Sequence, residues 1–108
     1  MTLAELNTAL KTITGFSNKV VYRAWPVGQA PPLPFITYMV DDSDNFGADD
    51  IVYKAINRVN IELYSKNKDT VSEGLIEALL ESLSIYWEKD ETYIDDEQCY
   101  EIIYTIEV

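Results

Sequence analysis

The sequence predicts an α+β fold in which two helices lie on one face of a mostly antiparallel β-sheet, in the order α-β-β-β-α-β-β. Three observations predict this fold. Two segments carry apolar residues at helical spacing behind a capping signal, and several others alternate apolar and polar residues as strands do. The length of 108 residues allows a single domain, residues 1–108.

The first helix is predicted to begin at Thr2, because Glu5 three positions later completes a capping box. Apolar residues follow at helical spacing up to the stop signal Gly15: Leu3, Leu6, Leu10 and Ile13. These apolar residues cover only one side of the helix. We therefore expect the helix to lie on a sheet or on a neighbouring subunit.

Three strands are predicted next. Residues 19–25 are rich in β-branched and aromatic side chains, and a proline-rich loop separates them from a second strand at residues 35–40. The second strand is apolar on both faces, which indicates burial on two sides or contact of one face with a partner. Residues 55–65 alternate clearly and predict a third strand with one buried face. The long acidic connection between the second and third strands predicts an extended hairpin arm.

A second helix is predicted after Asp69 and Thr70, both of which suit an N-cap, and Thr70 with Glu73 repeats the capping box. Its apolar stripe is the strongest in the chain and comprises Val71, Leu75, Ile76, Leu79, Leu80 and Leu83. Gly74 inside this helix either marks close approach to a strand or is simply tolerated.

Residues 85–94 and 98–108 predict a final hairpin, with Asp95 and Asp96 as turn residues. One face of its last strand carries Tyr100, Ile102, Tyr104, Ile106 and Val108. We expect Tyr86, Tyr93, Tyr100 and Tyr104 to pack within the sheet, with an interface role as the alternative. Cys99 is interpreted as an inert strand residue.

The formal net charge of −11 is concentrated in two segments. Residues 41–50 hold five acids and no base, and residues 88–97 hold six acids against Lys89. Such runs are either solvated loops or a repulsive or partner-seeking surface. With no cluster of Lys or Arg, tight binding to duplex DNA through its phosphates is disfavoured.

The residue inventory argues against an enzyme and predicts no catalytic residue, cofactor or metal. The chain has no histidine and one cysteine, which excludes Ser/His and Cys/His catalysis and leaves any zinc site mostly carboxylate. Asp42, Asp44, Asn45 and Gly47 come nearest to a calcium loop, but ordinary turn chemistry accounts for them. Asp and Glu are abundant enough to supply a carboxylate pair for glycoside hydrolysis, but the sequence indicates no pocket that would hold the pair.

Cysteine usage and hydropathy bear on where the protein works. The single cysteine agrees with a reducing compartment. There is no apolar run of the roughly 20 residues that span a bilayer, and the first residues lack the layout of a signal peptide. We therefore expect the protein to stay where it is made and to have no membrane partner.

Candidate partner-binding or channel-lining residues lie in the acidic arm and beside two loops. The arm contributes acids and one aromatic residue, namely Asp41, Asp42, Asp44, Asp49, Asp50 and Phe46. Trp25 and Trp87 lie at predicted strand ends, where an exposed ring would serve a subunit interface.

Taken together, these segments resemble the tail terminator proteins (minor capsid or tail completion proteins) of long-tailed bacteriophages and prophages. The shared layout is a small helix, a strand, a proline-rich loop ending in LPFITYMV, the acidic arm, RVNIELYSKNKD running into a helix, and the hairpin ETYIDDEQCYEIIYTIEV. It covers nearly the whole chain and includes no catalytic signature.

The resemblance implies a structural protein of the virion tail, assembled in the bacterial host cytoplasm. Its subunits would form a hexameric ring on the tail tube, end tube polymerisation and present a surface to the head-connector protein. Its partners would be copies of itself, the tail tube protein and the head-connector protein. DNA would pass through the ring as cargo, without sticking to an acidic channel. The alternatives are a head-tail connector component and an acidic inhibitor that imitates DNA to block a nucleic-acid-binding protein.

Overall fold

Five strands form one mixed sheet, and a further pair of strands forms a separate ribbon. The computed structural model describes residues 1–43, 46–48, 51–54 and 56–108, and the side chains of all of these except 46–48 and 51–54. The elements in chain order are α1 (Leu3–Lys11), β1 (Val20–Tyr22), β2 (Phe35–Ser43), β3 (Phe46–Ala48), β4 (Ile51–Lys54), β5 (Asn57–Ser65), α2 (Thr70–Ser82), β6 (Trp87–Ile94) and β7 (Cys99–Glu107).

The main sheet has the order β1-β2-β5-β7-β6. The pairs β2–β5, β5–β7 and β7–β6 are antiparallel, whereas the pair β1–β2 is parallel. The α+β class and the mostly antiparallel sheet are therefore confirmed. The predicted element order is incomplete, because it lacks β3 and β4.

Both helices pack on the same face of the sheet. The Tyr38 hydroxyl donates to Oδ1 of Asn7 in α1 at 3.1 Å, and the Tyr104 hydroxyl donates to Oε2 of Glu77 in α2 at 2.7 Å. Tyr38 and Tyr104 both lie opposite Ile61 in the strand register, so their side chains share one face. The other side of the sheet is called here the helix-free face.

The hydrophobic core lies between the helices and the sheet. Its buried side chains are Leu6, Leu10, Ile13, Phe16, Val20, Ile36, Tyr38, Val59, Ile61, Leu63, Ile76, Leu80, Ile102, Tyr104 and Ile106. The predicted alternation of β5 is confirmed, because Val59, Ile61 and Leu63 are fully buried.

The predicted start of α1 is confirmed, whereas the helix ends at Lys11, before Ile13 and Gly15. Thr2 is the N-cap, its Oγ1 accepts from the Glu5 amide at 3.1 Å, and Glu5 Oε1 accepts from the Thr2 amide at 2.9 Å. Gly15 follows the end of the helix with φ of +88°, a conformation that glycine adopts without a Cβ penalty.

The prediction for α2 needs two corrections. Asp69 is the N-cap and accepts from the Ser72 amide, whereas Thr70 is the first helical residue and forms no capping box with Glu73. Val71 is 73% exposed and Leu75 is 37% exposed, so neither belongs to the core. The buried face of the helix instead combines Ile76 and Leu80 with Ser72 and Glu73.

The final hairpin has the predicted partners with shorter strands. Tyr93 lies opposite Tyr100, and their rings meet edge to face at 5.0 Å, which confirms cross-strand packing for this pair. Tyr104 is fully buried, whereas Tyr86 precedes β6 and is 79% exposed. Cys99 is buried as the first residue of β7, where burial and the nearby Glu97 and Glu101 raise the pKa of its thiol.

Candidate functional site

The helix-free face holds the most unusual group of side chains in the described part of the chain. Strand alternation places half-buried apolar and aromatic groups there, among them Phe35, Met39, Tyr64 and Ile103. The same face carries carboxylates from four strands, which are Asp42, Glu62, Glu88, Asp90, Glu101 and Glu107. An antiparallel sheet normally presents one such face to water or to a partner.

Glu62, Tyr64 and Glu101 form a carboxyl cluster on this face. The Tyr64 hydroxyl lies 2.8 Å from Glu62 Oε2 and 3.0 Å from Glu101 Oε2, and the Thr37 hydroxyl donates to Glu62 Oε2 at 3.0 Å. The register of β5 and β7 makes this possible, because Tyr64 lies directly opposite Glu101. One phenol hydroxyl thus bridges two carboxyl groups.

The pKa values in the carboxyl cluster are shifted by burial and by like charge. Burial raises the pKa of Glu101, the Tyr64 hydroxyl lowers it, and the neighbouring Glu62 raises it again, so that the net direction is upward. Burial and the two carboxyl groups also raise the pKa of Tyr64, which keeps the phenol protonated. Glu101 therefore holds a proton more readily than an ordinary glutamate does.

An apolar notch of about 300 Å³ adjoins the carboxyl cluster. Trp25 and Phe35 form its wall, with ring centroids 4.8 Å apart, and Phe35 also contacts the Tyr64 ring at 5.2 Å. The remaining lining residues are Arg23, Ala24, Ala30, Thr37, Tyr64, Ile94 and Glu97. Trp25 lies in the loop after β1 and is half-buried, and its predicted interface role stays a prediction.

A second charged group lies on the opposite face, between α2 and β6. The Glu73 carboxylate contacts Lys68 Nζ at 2.8 Å and Lys89 Nζ at 2.6 Å, and its side chain is 3% exposed. Burial alone would raise the pKa of Glu73, but the hydrogen bonds and charges of the two lysines lower it below the ordinary value. This ion-pair cluster is structural, because it connects α2 to β6 and to the segment before α2.

The predicted arm contains a two-stranded antiparallel ribbon, β3 with β4, outside the main sheet. Phe46 begins β3, but its side chain lies outside the described part, as do Asp44, Asp49 and Asp50 altogether. At the base of the arm, Asp42 accepts from Arg58 at 2.7 and 2.9 Å. Asp41 is exposed and falls at a register shift between β2 and β5.

Trp87 is the first residue of β6 and faces the helices. Its ring meets Tyr104 edge to face at 5.6 Å, and it is half-buried against the core. The structure therefore separates the two tryptophans, since Trp25 lies on the helix-free side and Trp87 on the helical side.

Among residues 1–43, 46–48, 51–54 and 56–108, no group of three or more potential metal ligands comes together. No helix in the described part of the chain has the length and hydropathy needed to cross a membrane.

Sequence reasoning missed the carboxyl cluster. Glu62 and Glu101 stand 39 positions apart in strands whose register the sequence does not specify. The available signal was alternation, which correctly placed Glu62 and Tyr64 on the polar side of β5 and Glu101 on the corresponding side of β7.

In comparisons with protein-family models and with curated proteins, no family and no relative matches this chain.

Proposed function

We propose that this chain is a structural subunit that assembles with copies of itself into a ring, caps a phage tail tube and joins the tail to the head connector. The single observation that carries the proposal is the β3–β4 ribbon, which lies outside the main sheet and connects the neighbouring strands β2 and β5 along the chain. The resemblance in layout to tail terminator proteins supplies the identity of the assembly.

The ribbon supports assembly because a two-stranded ribbon is marginally stable in water by itself. A partner that packs on it or adds a strand to it would stabilise it by main-chain hydrogen bonds. A ribbon in the connection between two paired strands therefore favours a function in contact with another chain.

The edges of the main sheet favour a ring. One edge is β1, three residues long and parallel to its neighbour, and the other is β6, eight residues long and antiparallel. Because the two edges are unlike, an edge of one subunit would contact a different surface patch on the neighbouring subunit. Such a contact is heterologous. Heterologous contacts generate closed rings when the rotation closes.

The charge of the chain fits passage of DNA without binding. With a formal net charge of −11, an assembly of several copies would repel phosphates along any channel that its acids line. In this proposal Asp41 and Asp42 contribute to such a surface together with Asp44, Asp49 and Asp50.

The proposal is tested by imaging particles produced with and without this chain. Without it, we expect tails of irregular length that do not join heads. Tails of normal length joined to heads would refute the terminator function. Tails of normal length that lack heads would instead support the head-tail connector alternative.

A second test replaces the five aspartates of the arm by asparagine. We expect the variant to fold, because the side chains of Asp42 and Arg58 are 52% and 35% exposed and such surface pairs contribute about 1 kcal/mol or less. We expect assembly or DNA passage, and hence infectivity, to fall. A control replaces two exposed acids outside the arm, Glu81 and Glu88, by glutamine, and shows how much infectivity changes when charge is removed elsewhere. Wild-type infectivity of the arm variant would contradict the role of the arm.

A further inference from the structure

We propose that the notch on the helix-free face docks a basic segment of a protein partner. One lysine or arginine of that segment would pack its stem on Trp25 and Phe35 and place its cationic head beside Glu62 and Glu101. This docking site lies on the main sheet, apart from the ribbon, and it does not depend on the ring function.

The shape and chemistry of the notch suit such a side chain. Lysine and arginine bury an aliphatic stem along apolar surface and keep a charged head. The notch offers aromatic walls for the stem, and an aromatic ring face also attracts a cation. Tyr64 and Thr37 line the notch and hydrogen-bond Glu62, so the apolar wall and the carboxyl cluster are contiguous.

Charge complementarity selects a basic partner. In the described strands, Arg58 is the base on the helix-free face, and it already pairs with Asp42 and lies 3.8 Å from Glu107. The carboxylates of the same face outnumber it. Arg23 and Glu97 both line the notch and offset one another. A nucleic acid would be repelled by this face, and a second copy with the same net charge of −11 is a poor match for it.

The hydrogen-bond geometry indicates how the site responds to a cation. The Tyr64 hydroxyl has one proton and two carboxyl neighbours, so it satisfies both only when one carboxyl also carries a proton. The titratable groups around Glu101 are Glu62 and Tyr64 on β5, Cys99 on β7, and Glu97 in the turn before it, with Asp90 on β6. None of these groups brings a positive charge.

Binding of a cation is therefore coupled to proton release. The incoming ammonium or guanidinium group favours the ionised form of both carboxyl groups, the carboxyl O–H bond breaks, and the proton passes to the buffer. The upward shift in the pKa of Glu101 supports this exchange, because it extends the pH range in which a proton remains to be released above that of an ordinary glutamate.

The test is calorimetric titration of the full chain with the capped peptide Leu-Lys-Leu-Lys, in two buffers of different ionisation enthalpy, from pH 4.5 to 7.5. The expected result is binding at least tenfold tighter than that of capped Leu-Gln-Leu-Gln, with proton release that declines toward pH 7.5. Equal binding of the two peptides would overturn the proposal, and so would the absence of proton release at every pH.

Variants locate the effect. The double variant E62Q/E101Q is expected to weaken binding of the lysine peptide by about tenfold, the usual size for loss of a charged hydrogen bond, and to abolish proton release. The control E81Q/E88Q removes the same charge outside the notch and should change binding by less than about twofold. Equal losses in both variants would overturn the proposal in favour of non-specific attraction.

Two further measurements keep the test decisive. If the double variant does not fold, the single variant E101Q retains the shape of the side chain and should still lose proton release. The variant W25A should weaken binding of the lysine peptide while leaving proton release in place. Spermidine that binds as tightly as the peptide would refute a protein segment as the occupant, since a polyamine lacks the apolar side chains.

Discussion

Replacing Glu73 by glutamine tests the energetic account of the ion-pair cluster between α2 and β6. The glutamine keeps the shape of the side chain and removes its charge. In the wild-type chain the buried Glu73 carboxylate lies 2.8 Å from Lys68 Nζ and 2.6 Å from Lys89 Nζ, and both lysines lose this contact in the variant. Because Glu73 is 3% exposed, solvent does not replace those contacts.

The magnitude follows from what the two lysines retain. Removing one partner of a buried ion pair costs about 3–5 kcal/mol when the other charge is left buried. Here the side chains of Lys68 and Lys89 are 42% and 32% exposed, and they keep Glu91 and Glu77 as second partners. We therefore expect a loss of about 2 kcal/mol in the free energy of unfolding, within the range of charged hydrogen bonds.

The pH dependence gives a second signature of the same contact. The pKa of Glu73 is lowered in the folded chain, so its contribution is present above the unfolded value of about 4.3 and is lost as pH falls through the folded value. The stability difference between wild type and E73Q should therefore be largest near pH 7 and shrink below about pH 4.

The assay is urea unfolding followed by tryptophan fluorescence and circular dichroism, at equal protein concentration and at several pH values. E81Q, an exposed position on the same helix, is the matched control and should stay within about 0.5 kcal/mol of wild type. A loss below about 0.5 kcal/mol for E73Q, or a loss of equal size at pH 7 and pH 3.5, would refute the reasoning.

Two other substitutions test single features of the fold. G74A should raise the free energy of unfolding by about 1 kcal/mol, because Gly74 is exposed in α2 and an added methyl meets nothing within 4 Å; a destabilised variant in urea unfolding would contradict this. E101Q should gain stability relative to wild type as pH rises from 4 to 7, because the raised pKa of Glu101 makes the folded chain hold a proton that the unfolded chain has released. If the free energies of unfolding of E101Q and wild type change in parallel with pH over that range, the shared-proton geometry is contradicted.

Periodicity identified most of the fold because apolar spacing directly reports which face is buried. The alternation of β5 and the capping box of α1 are examples in which the local pattern and the tertiary structure agree. The predicted apolar stripe of α2 is right at Ile76 and Leu80 and wrong at Val71 and Leu75, for a physical reason. Lys89, 16 residues away in the sequence, neutralises Glu73, so the helix buries Glu73 and leaves Val71 exposed.

Pairing between distant segments accounts for the remaining differences. The parallel pairing of β1 with β2 requires a crossover, and the residues between them form a proline-containing loop without the helix that usually signals one. The carboxyl cluster likewise depends on the register that places Tyr64 opposite Glu101. A register shift of one residue would put these side chains on opposite faces, and composition cannot exclude it.

The central claim, that this chain assembles into a ring, is tested most directly by its mass in solution. Size-exclusion chromatography with light scattering, over a range of concentrations and with or without the tail tube protein, measures that mass. The account predicts a species of six 12.4 kDa chains, either alone or when the tube protein is present. A mass of 12.4 kDa at every concentration, with no association in the presence of the tube protein, would contradict it.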